Sequence, residues 1–331
     1  MKLISKEDKI FVAGHLGMAG AAICRSLHNR GYKNILKVER KELDLRDKIS
    51  VENWFLANRP QVTIIAAAKV GGISANNKYP TGFLLDNLQI QNNLIESSWT
   101  NGIKRLLFLG SSCIYPKYAE QPIREEALLS GYLESTNESY AIAKIAGIKL
   151  CEALRKEHSF DAISLMPTNL YGPGDNYHKS NSHVLPAMIR RFDEAKRKGL
   201  ESVHCWGSGN VRREFLHVDD LGDACLFALE NWDTLALNSP KDDFGNPLFY
   251  LNVGTGKDIT IKELAELISL RIGYKGSILW DTSKPDGTPQ KKLYVARMTD
   301  LGWQAKISFE EGLKSTLLAY YQELHQNKIR Y

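Results

Sequence analysis

The sequence predicts an α/β protein: a doubly wound parallel sheet of the Rossmann type, with a smaller, interleaved C-terminal α/β substrate domain. Three observations predict it. Short apolar runs alternate with helical patterns through the first half of the 331 residues, the mark of βαβ units. A Gly-x-x-Gly-x-x-Gly sits at the first strand-to-helix turn. After about Tyr171 the alternation gives way to loops rich in Gly, Pro, Asn and His.

Ile10–Ala13 is a short apolar run, the pattern of a strand buried on both faces of a parallel sheet. Gly14-His15-Leu16-Gly17-Met18-Ala19-Gly20 follows, and helical spacing begins beyond it at Ile23 and Leu27. Glycines at such a turn let backbone N–H groups approach a pyrophosphate at a helix N-terminus; a tight turn without a ligand is the plainer alternative. The next strand reads as 35–39 and ends at Arg40, with Asp44 and Leu45 a few residues on. An acid here serves the ribose of NAD, whereas an arginine suits the 2′-phosphate of NADP. Arg40 points to NADP. Glu39 could instead be the ribose-binding acid, and both could be solvated charges.

Further strands are expected at 62–68, 105–111 and 161–166, with helices near 48–58, 81–100 and 139–158. Right-handed crossovers place all strand C-termini on one edge, where ligands bind. The glycine loop, Ala67, the Ser111–Cys113 turn and Pro167-Thr168-Asn169 all fall there. Residues 1–170 form the cofactor domain on this reading, with a return segment near 214–254 that ends a strand at Val253-Gly254. Residues 171–331 are mainly the substrate domain, and 231–247 is a polar, proline-containing surface loop.

Composition limits the function classes. The formal charge is +5, from 43 basic and 38 acidic residues. That fits an anionic substrate, and no basic run carries the interleaved aromatics of a nucleic-acid binder. The five cysteines (Cys24, Cys113, Cys151, Cys205, Cys225) are scattered, without a Cys-x-x-Cys pair. They suggest a reducing compartment, no disulfide framework and no metal site. No apolar stretch reaches the ~18 residues of a membrane span, and the charged N-terminus does not read as a signal peptide. A cytoplasmic protein is expected.

Tyr140 and Lys144 stand four apart in a helical stretch, which stacks them on one face. An ammonium beside a phenol favours the phenolate, so the pair is expected to lower the tyrosine pKa and provide an acid–base group usable near neutral pH. Ser111 reads as a hydrogen-bonding partner for a carbonyl or as a turn serine. Cys113 on its own is a small buried hydrophobe, and His183 on its own a residue at a helix start.

Taken together, GHLGMAG, AAAKVGG, FLGSSCIYPK, TNESYAIAKIAGIKLCE, MPTNLYGP, SNSHVLPAMIRRF, WGSG, RREFLHVDDL and KPDGTP closely resemble the GDP-L-fucose synthase family. These are GDP-4-keto-6-deoxy-D-mannose 3,5-epimerase-4-reductases, which belong to the extended short-chain dehydrogenase/reductases. The resemblance runs from Ile10 to the C-terminal helix. It implies a homodimer that uses NADPH, epimerises carbons 3 and 5 of GDP-4-keto-6-deoxy-D-mannose and reduces the carbon 4 ketone. One position departs from the pattern. Some bacterial members carry an arginine in the glycine loop that helps hold the 2′-phosphate, where this chain has Leu16; Arg40 is left as the reader of that phosphate.

The resemblance also implies roles. Tyr140 is the general acid for the reduction, Lys144 tunes it and holds the nicotinamide ribose, and Ser111 bonds the carbonyl oxygen. Cys113 and His183 exchange the protons at carbons 3 and 5, with Cys113 as base and His183 as acid. Gly14, His15, Gly17, Met18 and Gly20 hold the cofactor pyrophosphate. Arg40, Asp44, Leu45, Ala67, Pro167, Asn169, Leu170 and His183 complete the cofactor site. The GDP-sugar meets Asn169, Arg191, Trp206, Arg213 and Asp286; Arg190 and Arg212 are the adjacent alternatives. The dimer would pair the helices near 81–100 and 139–158. Leu84, Leu88, Ile90 and Ile95 either contribute to that face or turn toward the sheet.

Overall fold

The computed structural model describes residues 2–284 and 286–330. The first half alternates as expected: β1 (Ile10–Ala13), α1 (Met18–Asn29), β2 (Ile35–Leu36), α2 (Lys48–Asn58), β3 (Val62–Ile65), α3 (Ile73–Lys78), α4 (Pro80–Thr100), β4 (Arg105–Leu109), α5 (Glu138–His158) and β5 (Ala162–Pro167). The second half continues with β6 (Asn169–Tyr171), α6 (Val184–Lys198), β7 (Ser202–Trp206), β8 (Arg212–His217), α7 (Val218–Asn231), β9 (Tyr250–Val253), β10 (Asp258–Thr260) and α8 (Ile261–Ile272). It ends with β11 (Ser277–Asp281), β12 (Gln290–Lys291), α9 (Ala296–Asp300) and α10 (Phe309–His325).

The main sheet runs β2-β1-β3-β4-β5-β9, and every pairing in it is parallel. Strand order reverses between β1 and β3, so the crevice outside their C-terminal ends is the ligand position for such a sheet. β9 is the returning strand: it pairs with β5 through Pro167↔Val253. Strands β1, β3, β4 and β5 are buried throughout, which explains why they read as continuous apolar runs rather than alternating ones.

The second half of the strand expected at 35–39 is not a strand. Only Ile35 and Leu36 register, against Ile10 and Phe11. This is the edge of the sheet, and the charged Lys37 and Glu39 gain nothing from pairing there. Arg40 therefore lies in an exposed turn beyond the strand. The strand expected at 62–68 also stops early, at Ile65, and Ala66 to Ala68 run on as the loop beside the glycine turn.

Two apolar cores result. The larger surrounds the main sheet, leaves the chain after Met166 and takes it up again at Leu216, ending at Trp303. The smaller joins α6, α8 and α10 around β7 and β8, with Phe192, Ile268 and Tyr320 buried inside it. Helices α8 and α10 start on reciprocal capping boxes, Thr260 with Glu263 and Ser308 with Glu311. The stretch after α7 is largely irregular, as read from its composition, but Trp232 at its start is fully buried.

On α4, Ile95 is fully buried and Ile90 packs on the core, so both face the sheet. Leu84 and Leu88 are half-buried, and the exposed apolar side chains of this helix pair are Leu85 on α4 and Ile142 on α5. No helix among the described residues is long and apolar enough to cross a membrane.

Candidate active site

The glycine loop is built around one close approach. Gly14 has φ +86°, and a Cβ there would stand 2.7 Å from the Ala67 backbone, so the end of β1 touches the loop after β3 at the point where strand order reverses. Gly17 N–H donates to Gly14 O at 3.0 Å to close the turn. Helix α1 starts at Met18, three residues earlier than the apolar spacing suggests, and Gly20 lies in its first turn. A Cβ on Gly20 would be 2.1 Å from Gly14 O. No side chain caps this helix, so its first N–H groups stay open at the crevice. These residues fit a dinucleotide pyrophosphate.

Around the glycine loop the charges are mixed. Burial lowers the pKa of His15, with Lys37 adding to the effect and Glu39 and Glu42 opposing it. Glu39 is paired with Lys41 at 3.0 Å. Asp44 does not stand free: Arg46 holds its carboxylate at 2.6 Å and, mainly through that bond, draws its pKa down to about 2. Leu45 packs on the core. Arg40 is exposed and makes no ion pair among the described residues.

The chemistry-bearing groups collect after β4. Ser111 caps a short 3-10 turn, its Oγ accepting from Cys113 N–H at 3.2 Å, so it is a turn serine and remains available on its other side. That side meets Tyr140, whose phenol is hydrogen-bonded to Ser111 and lies in the field of Cys113. Tyr140 is half-buried.

The expectation that Lys144 acidifies Tyr140 is overturned. The two do stack one turn apart, with Nζ 5.9 Å from the ring centroid, but Nζ donates to Leu109 O at 2.8 Å. Burial drives the Lys144 ammonium down to about 7. Burial also pushes the Tyr140 phenol well up, Cys113 adds to that, and only the Ser111 bond opposes it. The competing effect is desolvation, which the four-residue spacing does not reveal. Tyr140 is a proton donor that holds its proton firmly.

Cys113 is half-buried, and like the other four cysteines it forms no disulfide. Lys291 Nζ lies 3.8 Å from its Sγ. Arg213 faces it as well: its guanidinium is largely enclosed and sits in the fields of Cys113, Asp286 and Glu134. Asp286 accepts from Ser208 N–H at 2.7 Å and Ser208 Oγ–H at 2.9 Å. Ser111, Cys113, Tyr140, Arg213 and Asp286 thus lie near enough to act on one another. Arg212 is not a rival, because Asp258 binds it at 3.0 Å.

A second pair forms nearby in sequence. Arg191 lies 5.6 Å from the Trp206 ring, guanidinium over indole, and its neighbour Arg190 is buried and paired with Glu194 at 2.8 Å. Asn169 directs Nδ2 to Glu214 O at 2.8 Å; Pro167 ends β5, and Leu170 packs on the core. His183 sits on a separate segment, as the residue before α6. Its loop docks on the Gly71–Gly72 turn through Gly72 N–H to Asn181 O at 3.0 Å. His183 is exposed, and desolvation lowers the pKa of its imidazole. No contact among the described residues joins it to Cys113.

Two residues of this region escape sequence reasoning. Lys291 sits in a strand two residues long, too short for any periodicity to show. Glu214 is buried, accepting from the N–H groups of Thr255 (2.6 Å), Gly256 (2.7 Å) and Leu293 (2.7 Å). Its place amid Arg-Arg-Glu-Phe-Leu-His makes it look like one more surface charge.

The family model described as "NAD dependent epimerase/dehydratase family" matches residues 10–238. GDP-L-fucose synthase 1 of Arabidopsis thaliana is 53% identical, covering 94% of this chain and 92% of its own. GDP-L-fucose synthase of Escherichia coli K12 is 50% identical, covering 98% and 99%. Among solved structures, the GDP-mannoheptose C4 reductase from Campylobacter jejuni with NADP bound superposes with TM-score 0.84 at 33% identity, covering 96% of this chain and 99% of that one. With a Ser-Tyr-Lys site after β4, an uncapped glycine loop at the switch point and half its residues shared with such relatives over nearly their full length, this chain belongs to the GDP-L-fucose synthases of the NAD dependent epimerase/dehydratase family.

Proposed function

We propose that this chain processes one substrate twice in one cleft: it inverts carbons 3 and 5 of GDP-4-keto-6-deoxy-D-mannose, then reduces the carbon 4 ketone with NADPH to give GDP-L-fucose. The observation that carries the reading is the cluster after β4, where Ser111, Cys113 and Tyr140 meet. It supports the reading because a phenol that can give a proton lies beside a thiol that can take one.

Bound NADPH supplies the hydride. Gly14, His15, Gly17, Met18 and Gly20 would hold its pyrophosphate, and Arg40, Asp44 and Leu45 its adenosine end. Ala67, Pro167, Asn169, Leu170, Lys144 and His183 would complete the site toward the nicotinamide. Tyr140, kept protonated by its surroundings, gives its proton to the carbon 4 oxygen, and Ser111 holds that oxygen in place. The 4-keto group acidifies the neighbouring C–H bonds. Cys113 removes the protons and His183, with its lowered pKa, returns them to the opposite face.

Trp206 and Arg191 offer an aromatic face with a cation over it, a surface for the nucleotide. Arg213 meets the diphosphate and Asp286 the sugar hydroxyls. The first core thus serves the cofactor and the second the GDP group. The chain acts as a homodimer through the outer faces of α4 and α5, where Leu85 and Ile142 are exposed.

The test is one reaction in deuterated water. Purified protein is mixed with GDP-4-keto-6-deoxy-D-mannose and NADPH, absorbance is followed, and the product is weighed by mass spectrometry. NADPH loss with deuterium at two sugar carbons is expected. NADPH loss without deuterium would reduce the protein to a ketoreductase.

A further inference from the structure

We propose that Lys291 is a positioning residue for the epimerisation: its ammonium faces Cys113 and stabilises the negative charge on the sulfur that takes the sugar protons. The inference rests on Cys113 being the base.

Geometry supports it in three ways. Lys291 Nζ stands 3.8 Å from Cys113 Sγ and makes no ion pair with any carboxylate among the described residues, so its charge is directed at sulfur. Its strand is fixed on both sides. β12 pairs with β8 in parallel, Lys291 opposite Arg213, which puts the two cations on one face of the ribbon. Beyond it, Lys292 N–H donates to Gln121 Oε1 at 2.8 Å and Leu293 N–H to the buried Glu214 at 2.7 Å, so the side chain leaves a backbone that is held fast.

The groups around the thiol agree in sign. Arg213, from β8, adds a second positive charge. Tyr140, from α5, faces it as an uncharged phenol. Asp286 and Glu134 act on Arg213 and leave Lys291 to the sulfur. An opposite charge within ~4–6 Å of an acid lowers its pKa by about 1–3 units, and cysteines beside lysine or arginine are the reactive ones.

The step balances without another reactant. The thiolate takes the proton from carbon 3 or 5; the C–H bond breaks, an S–H bond forms, and the electron pair passes into the enolate of the 4-ketone. His183 then supplies a proton to the opposite face of that carbon; before the next cycle the thiol returns its own proton to solvent and the imidazole takes one up from solvent.

The experiment reads Cys113 alkylation by iodoacetamide against pH, at peptide level by mass spectrometry, in the wild type, Lys291→Met and Lys291→Arg. The Met variant is expected to move the midpoint up by about one unit, with alkylation near neutral pH about tenfold slower. Deuterium exchange at carbons 3 and 5 is expected to fall in kcat with little change in KM. Lys291→Arg is expected to restore most of both. An unchanged alkylation profile in Lys291→Met overturns the proposal even if turnover drops, because the lysine would then act on the substrate. Cys113→Ser distinguishes the underlying reading: wild-type exchange in that variant removes the thiol as base, whatever the alkylation profile says of Lys291.

Discussion

Lys144 Nζ lies 5.9 Å from the centre of the Tyr140 ring but is bonded to the Leu109 carbonyl at 2.8 Å. The lysine therefore ties α5 to the end of β4, while burial, with Cys113 adding to it, makes the tyrosine keep its proton. The two half-reactions should separate on this basis. Tyr140→Phe is expected to slow NADPH oxidation by about 10²–10⁴-fold, the usual contribution of a general acid, while exchange of the carbon 3 and 5 protons continues. Cys113→Ser should do the reverse. Stopped-flow absorbance and mass spectrometry of sugar recovered from deuterated water measure the two independently. Equal loss of both activities in both variants would contradict the division of labour.

Gly14 and Gly31 make a matched pair. Both are left-handed, at φ +86° and +81°, but a Cβ at Gly31 meets nothing within 4 Å whereas one at Gly14 meets the Ala67 backbone at 2.7 Å. Gly31→Ala should cost only the left-handed penalty, about 1–2 kcal/mol. Gly14→Ala adds overpacking between β1 and β3, about 1–3 kcal/mol more, and should weaken NADPH binding as well. Urea denaturation and a fluorescence titration with NADPH give both numbers. Equal destabilisation of the two variants would show that the switch-point contact contributes nothing.

Arg40, exposed and without an ion-pair partner among the described residues, is the residue we propose for the 2′-phosphate, since Glu39 is engaged by Lys41 at 3.0 Å and Asp44 by Arg46 at 2.6 Å. Arg40→Ala should raise KM for NADPH about tenfold, the loss of one charged hydrogen bond, and leave KM for NADH nearly unchanged. Steady-state kinetics with each cofactor decide. Equal changes would move the role to Lys37, the cation acting on His15.

The strands at β1, β3, β4 and β5 were legible because burial on both faces leaves mainly apolar residues, Thr63, Arg105 and Ser164 excepted, and α2 was legible to the residue, bounded by Asp47 accepting from Ser50 N–H at 3.2 Å. The end of β2 was not, because an edge strand is terminated by what its neighbour lacks, and nothing in residues 37–39 records that. Ser111, Cys113, Tyr140, Arg213 and Asp286 were singled out by their motifs, and the structure adds the ion-pair partners of the adjacent arginines: Glu194 for Arg190 and Asp258 for Arg212. Desolvation of Lys144 and the approach of Lys291 to Cys113 depend on residues 35 and 178 positions away. Spacing along the chain carries no trace of such distances.

The carboxyl of Asp175 should make stability fall as pH rises. It is buried, with Oδ1 accepting from Asn176 N–H at 2.7 Å and Oδ2 without a partner. Burial raises its pKa to about 7, Glu323 works in the same direction, and Arg330 and the Asn176 bond oppose it. A carboxyl whose folded pKa exceeds the ordinary value of 3.8 binds its proton better in the native state. Its contribution is therefore complete below about pH 4 and is lost as pH climbs to about 7. Asp175→Asn keeps the shape and removes the charge, so it is expected to raise Tm by about 2 °C or more at pH 8, with the gain shrinking toward zero near pH 4. The same loop is tied to the C-terminal segment by Gly174 N–H to Glu323 at 3.0 Å and Tyr177 N–H to Arg330 O at 2.8 Å, so the gain should appear in the main unfolding transition. Differential scanning calorimetry across pH 4–8 measures it, and a Tm difference independent of pH would mean that Asp175 is already ionised in the folded protein.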